Sequence, residues 1–211
     1  MISYKEEDLH LLPKQGHCNQ NYLLETNTKR YLLRKFRLLD RDRKKEFRIQ
    51  KRAARMGIAP KPYCLNEAIM ITDFVEGKHY KKLSRKQSRD LGKTVKKLHA
   101  IPYHDKPIRY KRANQFPFDG VLCHGDLSVG NVLFSKRVML IDWEYACVGD
   151  RYFDLASVCE SFDFHHDSFF RAYGIKPNLP KLKTYREIFR ELSKAWFEKL
   201  ESGALSFAPL S

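Results

Sequence analysis

Short apolar runs separated by polar turns fill the first part of the chain. Leu11-Leu12, Tyr22-Leu23-Leu24 and Tyr31-Leu32-Leu33 are divided by Gly16-His17-Cys18-Asn19-Gln20-Asn21 and by Thr26-Asn27-Thr28-Lys29. That alternation predicts strand, turn, strand, turn, strand. Ile69-Met70-Ile71-Thr72 predicts one more buried strand. Between them the period changes. Glu46, Ile49, Ala53 and Met56 recur at spacings of 3, 4 and 3, so they share one helical face. This predicts a helix from about Asp42 to Met56, closed by Gly57 just past the cap.

From residue 84 onward helical periods dominate. Ser84-Arg85-Lys86-Gln87 is a capping-box pattern, and Leu91, Val95 and Leu98 supply the apolar stripe of the helix that follows. That helix ends near Leu98-His99-Ala100, before Pro102, and residues 102–120 read as a loop. Val121-Leu122-Cys123 is a short strand. Val132-Leu133-Phe134 and Val138-Met139-Leu140-Ile141, parted by Ser135-Lys136-Arg137, predict a hairpin with a three-residue turn. Asp154 is expected to cap a helix over Leu155–Phe162. His165-His166-Asp167 reads as a polar loop before a helix at Phe169–Tyr173, with no further ligands spaced for a metal. The last helix is expected from about Lys181 to Leu200, with Leu182, Tyr185, Phe189, Leu192 and Trp196 as its inner stripe.

Composition narrows the class. With 211 residues, 43% apolar and 13% aromatic, the chain can bury a sizeable core and is not disordered. No apolar stretch approaches the ~18–20 residues of a membrane span, and the first residues lack the apolar centre of a signal peptide. The five cysteines are scattered and odd in number, which fits a reducing cytoplasm and gives no zinc site. The net charge of +15 is unusual. It concentrates between Lys29 and Arg55, where thirteen Lys/Arg face only Asp40, Asp42 and Glu46. Such a field attracts nucleotide phosphates or anionic surfaces, or else it is simply a solvated helix face. No nucleic-acid fold signature accompanies it, so no nucleic-acid partner is expected.

The chemistry is concentrated in residues 124–142. His124-Gly125-Asp126 is followed by Asn131 at the hairpin entrance, and Asp142 stands just past the hairpin exit. The two ends of an antiparallel pair lie side by side. An Asp, an Asn five residues later and a second Asp closing an apolar run is what phosphoryl transfer needs. Asp126 would take or orient the hydroxyl proton of an acceptor, while Asn131 and Asp142 would hold Mg²⁺ against the phosphates of ATP. The segment His-x-Asp-x-x-x-x-Asn resembles the catalytic loop of kinases, and Ile141-Asp142-Trp143 stands where protein kinases place Asp-Phe-Gly. His-Gly-Asp-Leu, without Arg between His and Asp, resembles the aminoglycoside phosphotransferase and choline kinase superfamily. Leu140 to Ala146, Gly149-Asp150 and Phe153-Asp154-Leu155-Ala156 are most similar to its choline/ethanolamine kinase and thiamine kinase branch.

That resemblance implies an α+β, two-lobed protein-kinase-like fold. Residues 1–76 would form a small antiparallel-sheet lobe that binds nucleotide, with a hinge at about 72–77. Residues 77–211 would form a larger, mainly helical lobe. Arg34 would clamp phosphates. Glu46, an acid on an inward stripe of a basic segment, needs a cationic partner, and Arg34 is the expected one. The turn at 16–21 is similar to the family's Gly-Gly-x-Thr/Ser-Asn loop at Gly16 and Asn19 but departs from it at Gln15 and Cys18. Asp73, Phe74 and Val75 would present their backbone to the adenine edge. His124 and Asp154 would brace the loop. Trp143, Glu144, Tyr145 and Trp196, with Tyr185 and Glu160, are the candidates for touching the acceptor. The resemblance implies an ATP- and Mg²⁺-dependent phosphotransferase acting on a small-molecule hydroxyl, foremost a cationic alcohol such as choline, ethanolamine or thiamine. A kinase for a lipopolysaccharide or surface-sugar hydroxyl, weakly associated with an anionic surface, is an alternative. A catalytically inactive nucleotide-binding protein is another, and the oligomeric state stays open.

Overall fold

The computed structural model describes residues 2, 4–13, 15–16, 19–37 and 41–204. His17, Cys18 and Asp40 therefore lie outside the described residues. Strands β1 (Leu9–Leu11), β2 (Asn19–Glu25), β3 (Arg30–Phe36), β4 (Pro62–Leu65) and β5 (Ile69–Asp73) form one antiparallel sheet in the order β1-β2-β3-β5-β4. Helix α1 (Arg43–Arg55) links β3 to β4. After the sheet come α2 (Arg85–His99), β6 (Gly120–Cys123), the hairpin β7 (Val132–Phe134) and β8 (Val138–Leu140), then β9 (Cys147–Asp150), α3 (Arg151–Ser161), α4 (His166–Tyr173) and α5 (Leu179–Glu201). β9 pairs back onto β6 and encloses the hairpin between them in sequence. The chain is thus α+β, an antiparallel sheet followed by a mainly helical part. No helix among the described residues is long and apolar enough to cross a membrane.

Adjacent residues of β3 point to opposite faces, and both faces are covered. Leu33 joins Leu24, Ile69 and Ile71 in an apolar cluster on one side. Arg34, 5% exposed, meets Glu46 of α1 on the other. Ile49 and Ala53 of α1, with Ile58 after it, belong to the large core that also holds Leu91, Leu98, Leu140 and Trp143. Helix α1 is therefore the layer between the sheet and the rest of the chain. Asp42 caps it by accepting from the Lys45 amide, and Gly57, at φ +70°, turns the chain out of it. The linker after β5 is fastened to the hairpin, with Lys78 and Phe134 exchanging both backbone hydrogen bonds at 2.9 Å.

Several expectations are corrected. Met56 is 42% exposed, because the helix stops at Arg55 and Ile58 fills the buried place instead. The cap of α3 is Asp150, whose carboxylate accepts from the Tyr152 amide; Asp154 lies inside the helix's first turn. His166 and Asp167 belong to the first turn of α4, not to a loop. Leu192 is 45% exposed, so the inner stripe of α5 runs through Leu182, Tyr185 and Ile188, with Phe189 half-buried against Phe153 as expected. Leu192 shares the helical face of Tyr185 and Ile188, but from residue 190 onward no residue of α5 is buried, because the helix runs past the core. Lys181 anchors its N-terminal end, its ammonium 2.7 Å from Asp150 and donating to the Pro117 carbonyl. Strands β4 and β9 are absent from the sequence reading, since neither carries an apolar run of its own.

Helices α2 and α4 touch at Gly92, where an added Cβ would stand 2.4 Å from the Phe169 carbonyl oxygen. An Ala for Gly exchange inside a helix ordinarily gains about 1 kcal/mol. Here the clash is with backbone, so overpacking of about 1–3 kcal/mol outweighs that gain. We expect Gly92→Ala to lower the midpoint of urea unfolding; a raised midpoint would show that the two helices part freely.

Candidate active site

The loop between β6 and β7 is held by buried polar groups. The Asp154 carboxylate accepts from the backbone N–H of His124 at 2.8 Å and of Gly125 at 3.0 Å. The ring of His99 lies 3.1 Å from the same carboxylate and is fixed at its other nitrogen by the Tyr173 hydroxyl at 2.7 Å. Burial alone would raise the Asp154 pKa, but the hydrogen bonds and charge of its neighbours outweigh it and hold the group below the ordinary carboxylate value. Cys123 stands close to His99 and Asp154, yet His99 and Asp154 are committed to protein partners and burial pushes the Cys123 thiol well up. That trio is a brace rather than a metal centre.

His124 is itself a brace. Its Nδ1 accepts from the Asp126 N–H at 3.4 Å, which leaves the proton on Nε2 to be donated to the Ile141 carbonyl at 3.0 Å. Burial lowers its pKa, in keeping with a neutral ring. Gly125, at φ +83°, turns the loop, and a Cβ there would stand 2.4 Å from the Tyr145 carbonyl oxygen. This position has room for no side chain, which accounts for Gly between His and Asp.

Asp126, Asn131 and Asp142 come together at the open end of the hairpin. The Asn131 amide donates to Asp126 Oδ2 at 2.6 Å and to the Asp126 carbonyl at 3.1 Å. The Ile141 N–H donates to the Asn131 carbonyl, extending the β7–β8 ladder by a rung and setting Asn131 beside Asp142. Asp142 sits at φ +64°, the left-handed region that Asp tolerates better than most residues. Burial raises the carboxyl of Asp126 and of Asp142 above the ordinary value.

A buried ionic chain runs through this point. Arg34 lies 2.9 Å from Glu46 and donates to Asp142 at 3.1 Å. Arg43 joins Glu46 at 2.8 Å to Glu144 at 3.1 Å, its guanidinium 4.3 Å from the centre of the Phe36 ring. Burial works against the charge on Arg34, but Glu46, Asp142 and Glu144 together hold its pKa above the usual value. Arg43 was missed in the sequence reading, though its place one turn before Glu46 was the available signal. His79, whose Nδ1 is 3.0 Å from both the Val129 and Val132 carbonyls beside Asn131, gave no signal at all.

The remaining expected residues divide. Gly16 is exposed and a Cβ there would meet nothing, so its loop makes no demand for glycine. Gln15, standing where the resemblance has a first Gly, instead ties the turn down by exchanging two hydrogen bonds with the Asn21 backbone at 2.7 and 3.0 Å. Asn19 is buried at the start of β2. The Asp73 carboxylate accepts from the Tyr63 hydroxyl and pairs with Lys29, and the Asp73 and Phe74 amides donate to the Lys61 and Arg30 carbonyls. Val75 follows, half-buried. Of the acceptor candidates, Trp143 is corrected. Trp143 is 1% exposed, its indole donating to the Leu140 carbonyl and its ring on His124, so it is core. Glu144 is held by Arg43. The face of Tyr145 is covered by Arg41, whose guanidinium also donates to the hydroxyl at 2.8 Å. Trp196 packs edge-on against the exposed Phe197 on α5, and Glu160 is bridged by Arg186 and Arg190. Only four residues, 143–146, separate Asp142 from β9.

Removing Asp154 would leave two buried backbone donors and His99 without an acceptor. Each such loss costs about 1–3 kcal/mol. Asp154→Ala should therefore destabilise the protein by about 3–5 kcal/mol in urea unfolding, and a loss below about 1 kcal/mol would show that water replaces the carboxylate.

Known proteins resemble this chain in sequence and in fold. An uncharacterized protein of Mycoplasma pneumoniae is 25% identical over 114 residues, 42% of this chain and 40% of that protein's length. Among solved structures, choline kinase LicA from Streptococcus pneumoniae superposes with a TM-score of 0.74 at 20% identity, covering 95% of this chain and 88% of that one. Spectinomycin phosphotransferase APH(9)-Ia, in complex with ADP and spectinomycin, gives 0.67 at 16% identity, covering 92% and 83%. At those identities the likeness is one of fold, and the fold is kinase-like. The sequence pattern of the phosphotransferase enzyme family matches residues 11–120 and 111–188, and the chain belongs to that family.

Proposed function

We propose that this protein transfers a phosphoryl group from ATP to a hydroxyl of a small molecule. The observation that carries this is the meeting of Asp126, Asn131, Asp142 and the Arg34–Glu46 pair at one end of a hairpin. In this reading residues 1–76, with a hinge at 72–77, take the nucleotide and residues 77–211 the acceptor. Asp126, its carboxylate oriented by Asn131, accepts or orients the acceptor's hydroxyl proton. Arg34, kept charged and aimed by Glu46, contacts the phosphates. His124 and Asp154 hold the loop in register. The backbone of residues 73–75 receives the adenine through its carbonyls and the Val75 amide, since the Asp73 and Phe74 amides are spent on the Lys61 and Arg30 carbonyls. The reaction asks mostly for positioning and charge stabilisation, which groups fixed by buried hydrogen bonds supply.

The donor set fits Mg²⁺. Asn131 spends its amide nitrogen on Asp126, which leaves the amide oxygen as a ligand, and Asp142 adds a carboxylate; hard oxygen donors are what Mg²⁺ prefers. Bound there, the ion would neutralise charge on the transferring phosphates. The carboxylates Asp142, Glu46 and Glu144 of the ionic chain gather beside Asp126, with Arg34 and Arg43 held among them. That gathered negative charge suits a divalent cation. As acceptor we favour a cationic alcohol, such as choline, ethanolamine or thiamine, because residues 140–156 are most similar to the choline/ethanolamine kinase and thiamine kinase branch and a choline kinase shares the fold.

The test is ADP release from Mg-ATP with choline, ethanolamine, thiamine, aminoglycosides and neutral sugars. One cationic acceptor should stimulate release, and Asp126→Asn should reduce that stimulation by about 10²–10⁴-fold. Stimulation by a neutral sugar alone would overturn the acceptor class; an equally active Asp126→Asn would overturn the assignment of Asp126. The pH dependence has a defined sign. Burial raises Asp126 and Asp142, so each carboxylate is lost at higher pH than an exposed one as acid is added. The acid limb of kcat/KM should lie above the ordinary carboxylate range, and an acid limb within that range would contradict the burial of these groups.

A further inference from the structure

The outer face of α1 is cationic throughout. At 3.6 residues per turn, Lys44, Arg48, Lys51, Arg52 and Arg55 fall within an arc of about 100° and along about 16 Å of helix. All five are exposed. The helix's one acid, Glu46, lies on the opposite, buried face. Lys44 and Arg48, Arg48 and Arg52, and Lys51 and Arg55 are like charges four residues apart, an arrangement that weakens a helix rather than supporting it. Among the described residues compensation is slight. Asp105 pairs with Lys45 at 2.6 Å at the edge of the arc and acts on Arg48 through its charge, while Arg52 donates to the Pro102 carbonyl and lies over the Tyr103 ring. A repulsive row kept on a rigid helix, with so little returned among the described residues, offers its charge to an anion outside it.

We infer that this ridge is a docking surface for an anionic phospholipid bilayer, separate from the catalytic groups on the inner face of the same helix. The ridge is convex and straight, so it meets a plane of phosphates rather than enclosing a single anion. Met56, 42% exposed at its end, offers an apolar side chain to the interface. The two rings nearest the ridge are not open to a nucleic-acid base, since Phe47 is half-buried and Tyr103 lies under Arg52. Because the inner face of α1 is spent in the core, attachment is electrostatic and reversible. It weakens as salt screens the field, and each lysine or arginine near the leaflet strengthens it by about five-fold.

The experiment is cosedimentation of the full chain with vesicles of equal parts phosphatidylcholine and phosphatidylglycerol, against pure phosphatidylcholine, at low and high salt. The ridge variant is Lys44→Gln, Lys51→Gln and Arg55→Gln together; the control removes three exposed charges elsewhere, Lys93→Gln, Lys97→Gln and Lys176→Gln. The parent and the control should bind the anionic vesicles at low salt. The ridge variant should bind about a hundred-fold more weakly, with a melting temperature no lower than the parent's because like-charge pairs are relieved. Failure of the parent to bind, or equal loss in the control, overturns the inference. So does ridge-dependent binding of duplex DNA without binding of vesicles, which would assign the surface to a nucleic acid.

Discussion

Charges taken out of water must be paired, and here that constraint builds the site. Arg34 and Glu46 are both almost wholly enclosed, and neither could stay there alone. Their attraction fixes α1 against β3. Through Asp142 it reaches the end of the β7–β8 hairpin, and through Arg43 and Glu144 it reaches the passage into β9. One ionic chain thus ties together sheet, helix and loop. Breaking a buried pair by removing one partner costs about 3–5 kcal/mol, so the arrangement is resistant to gradual loosening.

A second constraint, Asp154, acts on the other side of the loop. It is an acid inside a helix turn, and its value lies in satisfying two backbone donors that no strand or helix could satisfy. Catalytic loops depart from regular structure, so their amides need acceptors from elsewhere. Here the elsewhere is α3, steadied by His99 from α2 and Tyr173 from α4. Three helices far apart in sequence set the position of a few loop residues.

Much of this was legible in the chain. The bounds of α1 and α2 followed from their caps, Asp42 and Ser84 with Gln87, because capping is a local property. The hairpin followed from two apolar runs around a polar turn. The pairing of Arg34 with Glu46 was accessible because an acid on an apolar stripe has few ways to be satisfied. What failed to show was what depends on tertiary context. β4 and β9 are strands only because β5 and β6 offer them partners. Trp143 looked available to a ligand because aromatic residues serve cores and pockets alike, and only the fold tells which. Asp150 and Asp154 stand one helical turn apart, and nothing local decides which caps the helix and which braces the loop.

The brevity of the path from Asp142 to β9 bears on control. Protein kinases place a long segment after the corresponding Asp and switch the enzyme by reshaping it, often through phosphorylation. Here Trp143 is anchored in the core, Ala146 closes a tight turn onto it, and Cys147 is already paired with β6. Between Asp142 and β9 there is no spare chain to fold away. This passage is in place whenever the chain is folded.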